Sequence, residues 1–151
     1  MSAKRPLSFE EFAYIYSRVP RLGVDLIVKK DGGAIFVKRN IDPYKGMWHF
    51  PGGTVLFDET IDQAVSRIVQ DELNLRVLSK KFIGIIEYLS EPDERFLKKH
   101  RHTVCQIFLI EASGNLKKDA DAREVKVFSY PPENIIPEQK LFLNNNQEIF
   151  D

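Results

Sequence analysis

One cysteine, Cys105, stands among 151 residues, which excludes an intrachain disulfide and a cysteine-rich zinc site and fits a reducing compartment. No run approaches the roughly 18 to 20 apolar residues that span a bilayer. Met1-Ser2-Ala3-Lys4-Arg5-Pro6 lacks an apolar signal region, so the expected location is the cytoplasm, with no membrane partner. Charge of one sign is not in excess: 22 lysines and arginines face 22 aspartates and glutamates. That balance removes the general attraction on which nucleic-acid coats rely, so no nucleic-acid partner is expected and an anionic ligand needs a local site. Internal repeats and low-complexity tracts are absent. What is present is 43% hydrophobic and 29% charged residues, close to globular averages, which argues against a disordered tail, a collagen or a coiled coil. At about 150 residues per domain, one domain over 1–151 is expected.

Ser8-Phe9-Glu10-Glu11 has the form of a helix start, an N-cap serine with an acidic first turn, and Pro20 closes the segment. Gly23 to Lys29 and Ala34 to Lys38 are β-branched runs around Lys30-Asp31-Gly32-Gly33, a hairpin pattern. Asn40 to Gly46 reads as a loop, and Met47-Trp48-His49-Phe50 leads into Pro51-Gly52-Gly53, where the chain turns sharply. Between Thr60 and Leu73 the apolar residues Ile61, Val65, Val69 and Leu73 recur every four positions, a helix with one core-facing stripe and Asn74 as its C-terminal cap. Val77 to Leu89, Thr103 to Ile110 and Val125 to Phe128 are strand-like, and Pro137 to Ile149 is expected to form a terminal helix. Ser90 to Arg101 reads as an exposed loop or a hairpin extension. The order α-β-β-α-β-β-β-α predicts an α/β fold, a mixed sheet with helices on it.

Chemistry concentrates where the glycine turn meets the carboxylate-rich helix. At about 100° per residue, Ile68, Asp71 and Glu72 share one face of that helix, so two carboxylates project together. Hard oxygen donors at adjacent positions suit Mg²⁺ or Mn²⁺, ions that retain waters and bridge to substrate phosphates. Gly52 and Gly53 let a backbone carbonyl approach the same ion. Arg67 either orients a carboxylate or holds Glu59 against the helix. The plainer alternative is that Asp58, Glu59, Asp62, Asp71 and Glu72 only solvate an amphipathic helix.

Gly53, Glu59, Arg67, Val69, Glu72 and Leu75 stand at the spacing of Gly-x5-Glu-x7-Arg-Glu-U-x-Glu-Glu-x-Gly-U, with U a bulky apolar residue, and Asp71 replaces the first glutamate of the pair. This stretch resembles the signature of the Nudix hydrolase family, which implies an α/β/α sandwich. Ile68 stands where the signature has a metal-binding glutamate, and Asn74 where it has glycine. An apolar residue at position 68 is a feature of the GDP-mannose mannosyl hydrolase branch, which residues 7–76 resemble more widely, from Leu7-Ser8-Phe9-Glu10-Glu11-Phe12-Ala13 to Gly46-Met47-Trp48-His49-Phe50-Pro51-Gly52-Gly53. That resemblance implies Mg²⁺-dependent water attack at the anomeric carbon of a nucleotide sugar. It further implies sugar-nucleotide contacts at Asp25 and Arg39, a phosphate-stabilising Arg67, metal ligation by Glu72 and the Gly52 carbonyl, and a homodimer.

Where the branch has an arginine after Gly-Gly this chain has Thr54, and where it has a metal-binding glutamine and then a general-base histidine this chain aligns Asp121 and Ala122. Asp121 restores the negative charge that Ile68 removes, making Gly52, Asp71, Glu72 and Asp121 the candidate metal ligands, unless Asp121 is a plain loop residue. Glu124, His100 and His102 are candidate replacement bases. The two histidines lie in Lys98-Lys99-His100-Arg101-His102, the densest positive patch, where a diphosphate would bind if it is not a solvated loop. Three readings follow: a nucleotide-sugar hydrolase releasing nucleoside diphosphate and sugar, a pyrophosphohydrolase releasing nucleoside monophosphate, and a nucleotide-binding module without turnover.

Overall fold

Short-range chemistry sets the helix ends. In a computed structural model, which describes residues 6–41, 44–93, 99–117, 119–120 and 123–151, with backbone only at 90–93, 99–100 and 119–120, helix α1 runs Phe9–Tyr16. The Ser8 hydroxyl accepts from the Glu11 N–H, and the Glu11 carboxylate accepts in return from the Ser8 N–H, a reciprocal cap that satisfies two otherwise unpaired donors. Thr60 and Gln63 repeat this device at the start of α2 (Ile61–Leu73). Asn74 ends α2 in the left-handed region, φ 59°, a conformation that asparagine tolerates better than most residues.

Strands β1 (Arg21–Lys30) and β2 (Gly33–Lys38) form the expected hairpin across Asp31-Gly32, both at positive φ. They pair directly only near the turn, at Lys29 with Ala34 and Lys30 with Gly33. Beyond that point the hairpin forks, and β3 (Trp48–His49) pairs with β2 while β4 (Gly52–Thr54) pairs with β1. Strands β5 (Arg76–Asp93) and β6 (Lys99–Ser113) form a long antiparallel hairpin, and β6 lies parallel to β1 from Arg21–Thr103 to Lys29–Glu111. Strands β7 (Asp119–Ala120) and β8 (Arg123–Phe128) complete the mixed sheet in the order β5-β6-β1-β2-β8-β7.

Alternation along β1 gives the sheet two apolar faces. Val24, Leu26 and Val28 pack with Val65, Ile68, Val69 and Leu73 of α2. Ile27 and Phe36 pack on the opposite side with Phe50, Ile107, Leu143 and Ile149. Helix α3 (Pro137–Asn144) begins with a proline, whose missing N–H costs nothing in the first turn. The expected single helix from Pro137 to Ile149 is instead α3 followed by a 3₁₀ turn, Gln147–Phe150, because the three asparagines at 144–146 interrupt it. The Ser90–Arg101 stretch extends the hairpin at both described ends, Asp93 and Lys99 being paired. No helix among the described residues is long and apolar enough to cross a membrane.

Candidate active site

The fork in the β1–β2 hairpin positions the glycine turn. Residues 48–54 cross from β2 to β1, and Gly52 arrives opposite Asp25. A methyl group on Gly52 would lie 2.5 Å from Asp25 Oδ1 and 2.5 Å from the Val24 carbonyl oxygen, so only glycine fits this approach. Gly53 sits over Ile68, whose Cδ1 is 3.4 Å from where a Gly53 Cβ would stand. Ile68 is buried, closing the floor beneath the turn with hydrocarbon.

An open cleft of about 1190 Å³ lies between α1, the glycine turn and α2. Phe9, Phe12 and Leu56 give it an apolar side, and Asp71 and Glu72 an acidic one. Asp71 is exposed, whereas Glu72 is half-buried and lies 3.6 Å from the Arg123 guanidinium on β8. Arg67 is committed to shaping the wall. It donates to Glu59 from Nε at 2.7 Å and from Nη2 at 3.1 Å, and Nη2 also donates to the Thr54 carbonyl at 2.9 Å. The Arg67 hydrogen bond holds the Glu59 carboxyl below its usual pKa, and the Leu56 N–H, donating at 2.9 Å, adds to this. Arg67 and Glu59 thus pin the 54–59 loop onto α2.

Behind the glycine turn is a smaller pocket of about 150 Å³. Asp25, Arg39, Tyr88, Arg101 and Gln139 line it, and Arg21, Gly52, Gly53 and Arg123 belong to both cavities. Gln139 Nε2 donates to the Tyr88 hydroxyl at 2.9 Å, and that hydroxyl donates to Asp25 Oδ2 at 2.5 Å. Gln139 Oε1 accepts from the Phe50 N–H at 2.7 Å, tying α3 to the strand before the glycine turn. Burial pushes the Asp25 carboxyl up to about 6, against the opposing Tyr88 hydrogen bond and the Arg21 and Arg101 charges. Burial likewise raises the Tyr88 hydroxyl and the Cys105 thiol well above their ordinary values. Arg101 lies over the Tyr88 ring, 5.2 Å from its centroid, and 3.7 Å from Glu138.

The residues singled out in the sequence divide between these cavities. Asp25 and Arg39 line the inner pocket, Arg67, Asp71 and Glu72 the outer cleft, and Gly52 both. Glu124 is exposed on β8 and lines neither cavity. His102 is half-buried on β6 between Arg101 and Thr103, two residues of the inner pocket, so alternation turns it to the other face. Asp121 and Ala122 lie outside the described residues, as does the His100 side chain. Thr54, standing where the resembled branch has an arginine, accepts from an Arg21 guanidinium arriving from β1. Sequence reasoning passed over Arg21, Tyr88, Arg123 and Gln139, and named Arg101 only as part of the basic patch at 98–102. The signal for two of them was alternation: Arg21-Gly23-Asp25 and Arg101-Thr103-Cys105 lie on one face of adjacent strands.

Among the described residues, no group of three or more His, Cys, Asp or Glu side chains is placed to hold a metal ion. Among the described residues, Asp71, Glu72 and Gly52 of the candidate ligands line one cleft. Mg²⁺ keeps several waters and is commonly bound through one or two carboxylates plus substrate phosphates. Two carboxylates and a backbone carbonyl fit an ion shared with a phosphorylated ligand.

Residues 19–150 match the family model described as the NUDIX domain. The low-salt glycan biosynthesis protein Agl8 of Haloferax volcanii is 29% identical over 136 residues, covering 89% of this chain and 87% of that protein. An ADP-ribose pyrophosphatase of Methanocaldococcus jannaschii is 33% identical over 110 residues, which span 72% of this chain and 62% of that protein. Among solved structures, the MutT NUDIX hydrolase of Burkholderia pseudomallei superposes with a TM-score of 0.70 at 22% identity, over 84% of this chain and 98% of its own, a likeness of fold.

Proposed function

This chain belongs to the NUDIX domain family, and on that premise we propose that it hydrolyses a nucleoside diphosphate sugar, GDP-mannose being the first substrate to try, with release of nucleoside diphosphate and free sugar. The observation that carries this reading is the pair of neighbouring cavities. A broad cleft with aromatic side chains in its lining lies beside a small polar pocket, and the two share Arg21, Asn40, Gly52, Gly53 and Arg123 in their linings. A ligand with an aromatic base at one end, a polyhydroxy ring at the other and an anion between them matches that sequence of environments.

Phe9 and Phe12 offer ring surface to a base, and Phe57, 90% exposed at the cleft, adds a third aromatic face. Asp25, Arg39 and Gln139 bring hydrogen-bonding groups to the inner pocket, with Asp25 held in place through Tyr88. Arg67 acts as a positioning residue, fixing the loop that walls the cleft through Glu59 and the Thr54 carbonyl. Mg²⁺ or Mn²⁺, held by Asp71, Glu72 and the Gly52 carbonyl together with waters and substrate oxygens, would supply charge neutralisation for the departing diphosphate.

Attack on phosphorus is the second reading, favoured by the likeness to a protein named for ADP-ribose pyrophosphatase activity. It predicts nucleoside monophosphate and sugar phosphate. Incubation with Mg²⁺ and a panel of nucleotide sugars and dinucleotides, followed by chromatography, separates the two by product. Diphosphate is the expected product, monophosphate replaces the leading reading with the second, and silence across the panel favours a binding module.

A further inference from the structure

We infer that β5 is an interface between two copies of this chain, each β5 pairing antiparallel with the other about a two-fold axis between Ile83 and Gly84. This interface is independent of the reaction, and it gives a surface and a register to the homodimer that the family resemblance implies. Strand β5 (Arg76–Asp93) ends the sheet, and among the described residues no strand pairs with its outer edge. Such an edge presents a row of backbone N–H and C=O groups to any strand that can reach it. Leu78, Phe82, Ile85 and Leu89 of β5 are each more than half exposed, more bare hydrocarbon than any other described element carries.

A β-bulge makes this edge complementary to itself. Phe82 pairs with Phe108 of β6 and Gly84 with Ile107, so Ile83 is an extra residue and the alternation shifts by one after it. Before the bulge, Lys80 reaches Asp62 of α2 at 2.5 Å, and the Phe82 ring lies 5.8 Å from that of Phe108, which packs with α2. After it, Ile86 and Tyr88 are buried in the opposite cluster, which turns Ile85, Glu87 and Leu89 to the α2 side. A two-fold axis between residues 83 and 84 then sets Phe82 opposite Ile85 of the second copy and Lys80 opposite Glu87, with both facing pairs on the α2 side of the sheet. The same register sets Leu78 against Leu89 and Arg76 against Glu91, and it runs out at Pro92, which has no N–H to give. Sliding by two residues sets Lys80 against Ile85 or Leu89 instead, and an in-register parallel pairing sets it against Lys80. Charge therefore favours one antiparallel alignment, and a two-fold alignment closes on itself as a dimer.

The test is sedimentation velocity of the full chain, from about 100 μM downward by dilution, beside Glu87→Lys, Lys80→Glu, the double variant and Ile85→Asp, each checked for cooperative melting. The wild type is expected to sediment at twice its own mass at the highest concentration. Glu87→Lys turns two attractive facing pairs per dimer into two repulsive ones, with an expected loss of at least about 4-fold in dimer affinity, and Lys80→Glu does the same. The double variant sets opposite charges against each other again at unchanged net charge, so its affinity is expected to return to within about threefold of the wild type. Ile85→Asp puts a carboxylate against Phe82 of the second copy and is expected to weaken the dimer by at least about 10-fold. A wild type that stays monomeric overturns the interface, and so does a dimer that Glu87→Lys and Ile85→Asp leave intact. A double variant that associates no more tightly than either single variant overturns the register and the two-fold pairing with it. Should Lys80→Glu fail to fold beside Asp62, Glu87→Lys and Ile85→Asp decide by the same measure, unchanged affinity in both overturning the interface.

Discussion

Replacing Asp25 with asparagine should flatten the pH dependence of stability. Asp25 is 8% exposed, and its carboxyl is pushed up to about 6 from an ordinary 3.8, chiefly by burial. The folded protein therefore binds this proton more tightly than the unfolded chain does. Stability from the protonated form is fully present below about pH 4 and is lost as pH rises through about 6. The gap between the two values, at about 1.36 kcal/mol per pH unit, amounts to about 3 kcal/mol. Asparagine has almost the same volume, never ionises and retains an acceptor for the Tyr88 hydroxyl. Urea unfolding at pH 4 and pH 7.5 in metal-free buffer, for wild type and Asp25→Asn, isolates the contribution because other titrating groups cancel in the difference. The wild type should lose about 3 kcal/mol more than the variant between these pH values, which at about 2 to 4 °C per kcal/mol is a difference of about 6 to 12 °C in melting temperature. Identical pH slopes in the two proteins would refute burial as the force acting on this carboxyl.

Three further outcomes follow from the same geometry. Tyr88→Phe leaves both Asp25 Oδ2 and Gln139 Nε2 without the hydroxyl between them, and urea unfolding should register a loss of about 1 to 3 kcal/mol; a neutral result would mean that the three residues do not form a working network. Gly52→Ala places a methyl 2.5 Å from two oxygen atoms, so the strand must shift at a cost of about 1 to 3 kcal/mol, and a variant melting like wild type would contradict that contact. Glu72→Gln should lower metal-stimulated turnover by about 100-fold or more while circular dichroism and melting stay near wild type; retained activity would remove Glu72 from the proposed ion site.

The parts of the fold that were legible in the sequence are those specified locally. Both reciprocal helix caps, the Asp31-Gly32 turn and the left-handed Asn74 depend on residues within four positions of one another. Helical arithmetic also put Ile68, Asp71 and Glu72 on one face, and all three line the outer cleft. Strands β3, β4 and β7 have two or three residues each, too few to show alternation. The inner pocket was hidden for a different reason. Tyr88 reaches Asp25 across 63 positions, and Gln139 reaches Tyr88 across 51, so their meeting depends on sheet register and on where α3 docks. Arg101 was masked by its setting in Lys98-Lys99-His100-Arg101-His102, which reads as a solvated basic run until alternation turns Arg101 inward and His102 to the other face.

Hydrolysis of GDP-mannose in ¹⁸O-labelled water, with Mg²⁺ present and both products weighed by mass spectrometry, tests the central claim most directly. Attack at the sugar carbon puts the label in free sugar and leaves the nucleoside diphosphate unlabelled, which is the predicted result. Label in a phosphate-bearing product, or no turnover of GDP-mannose beyond the metal-free control, would contradict it.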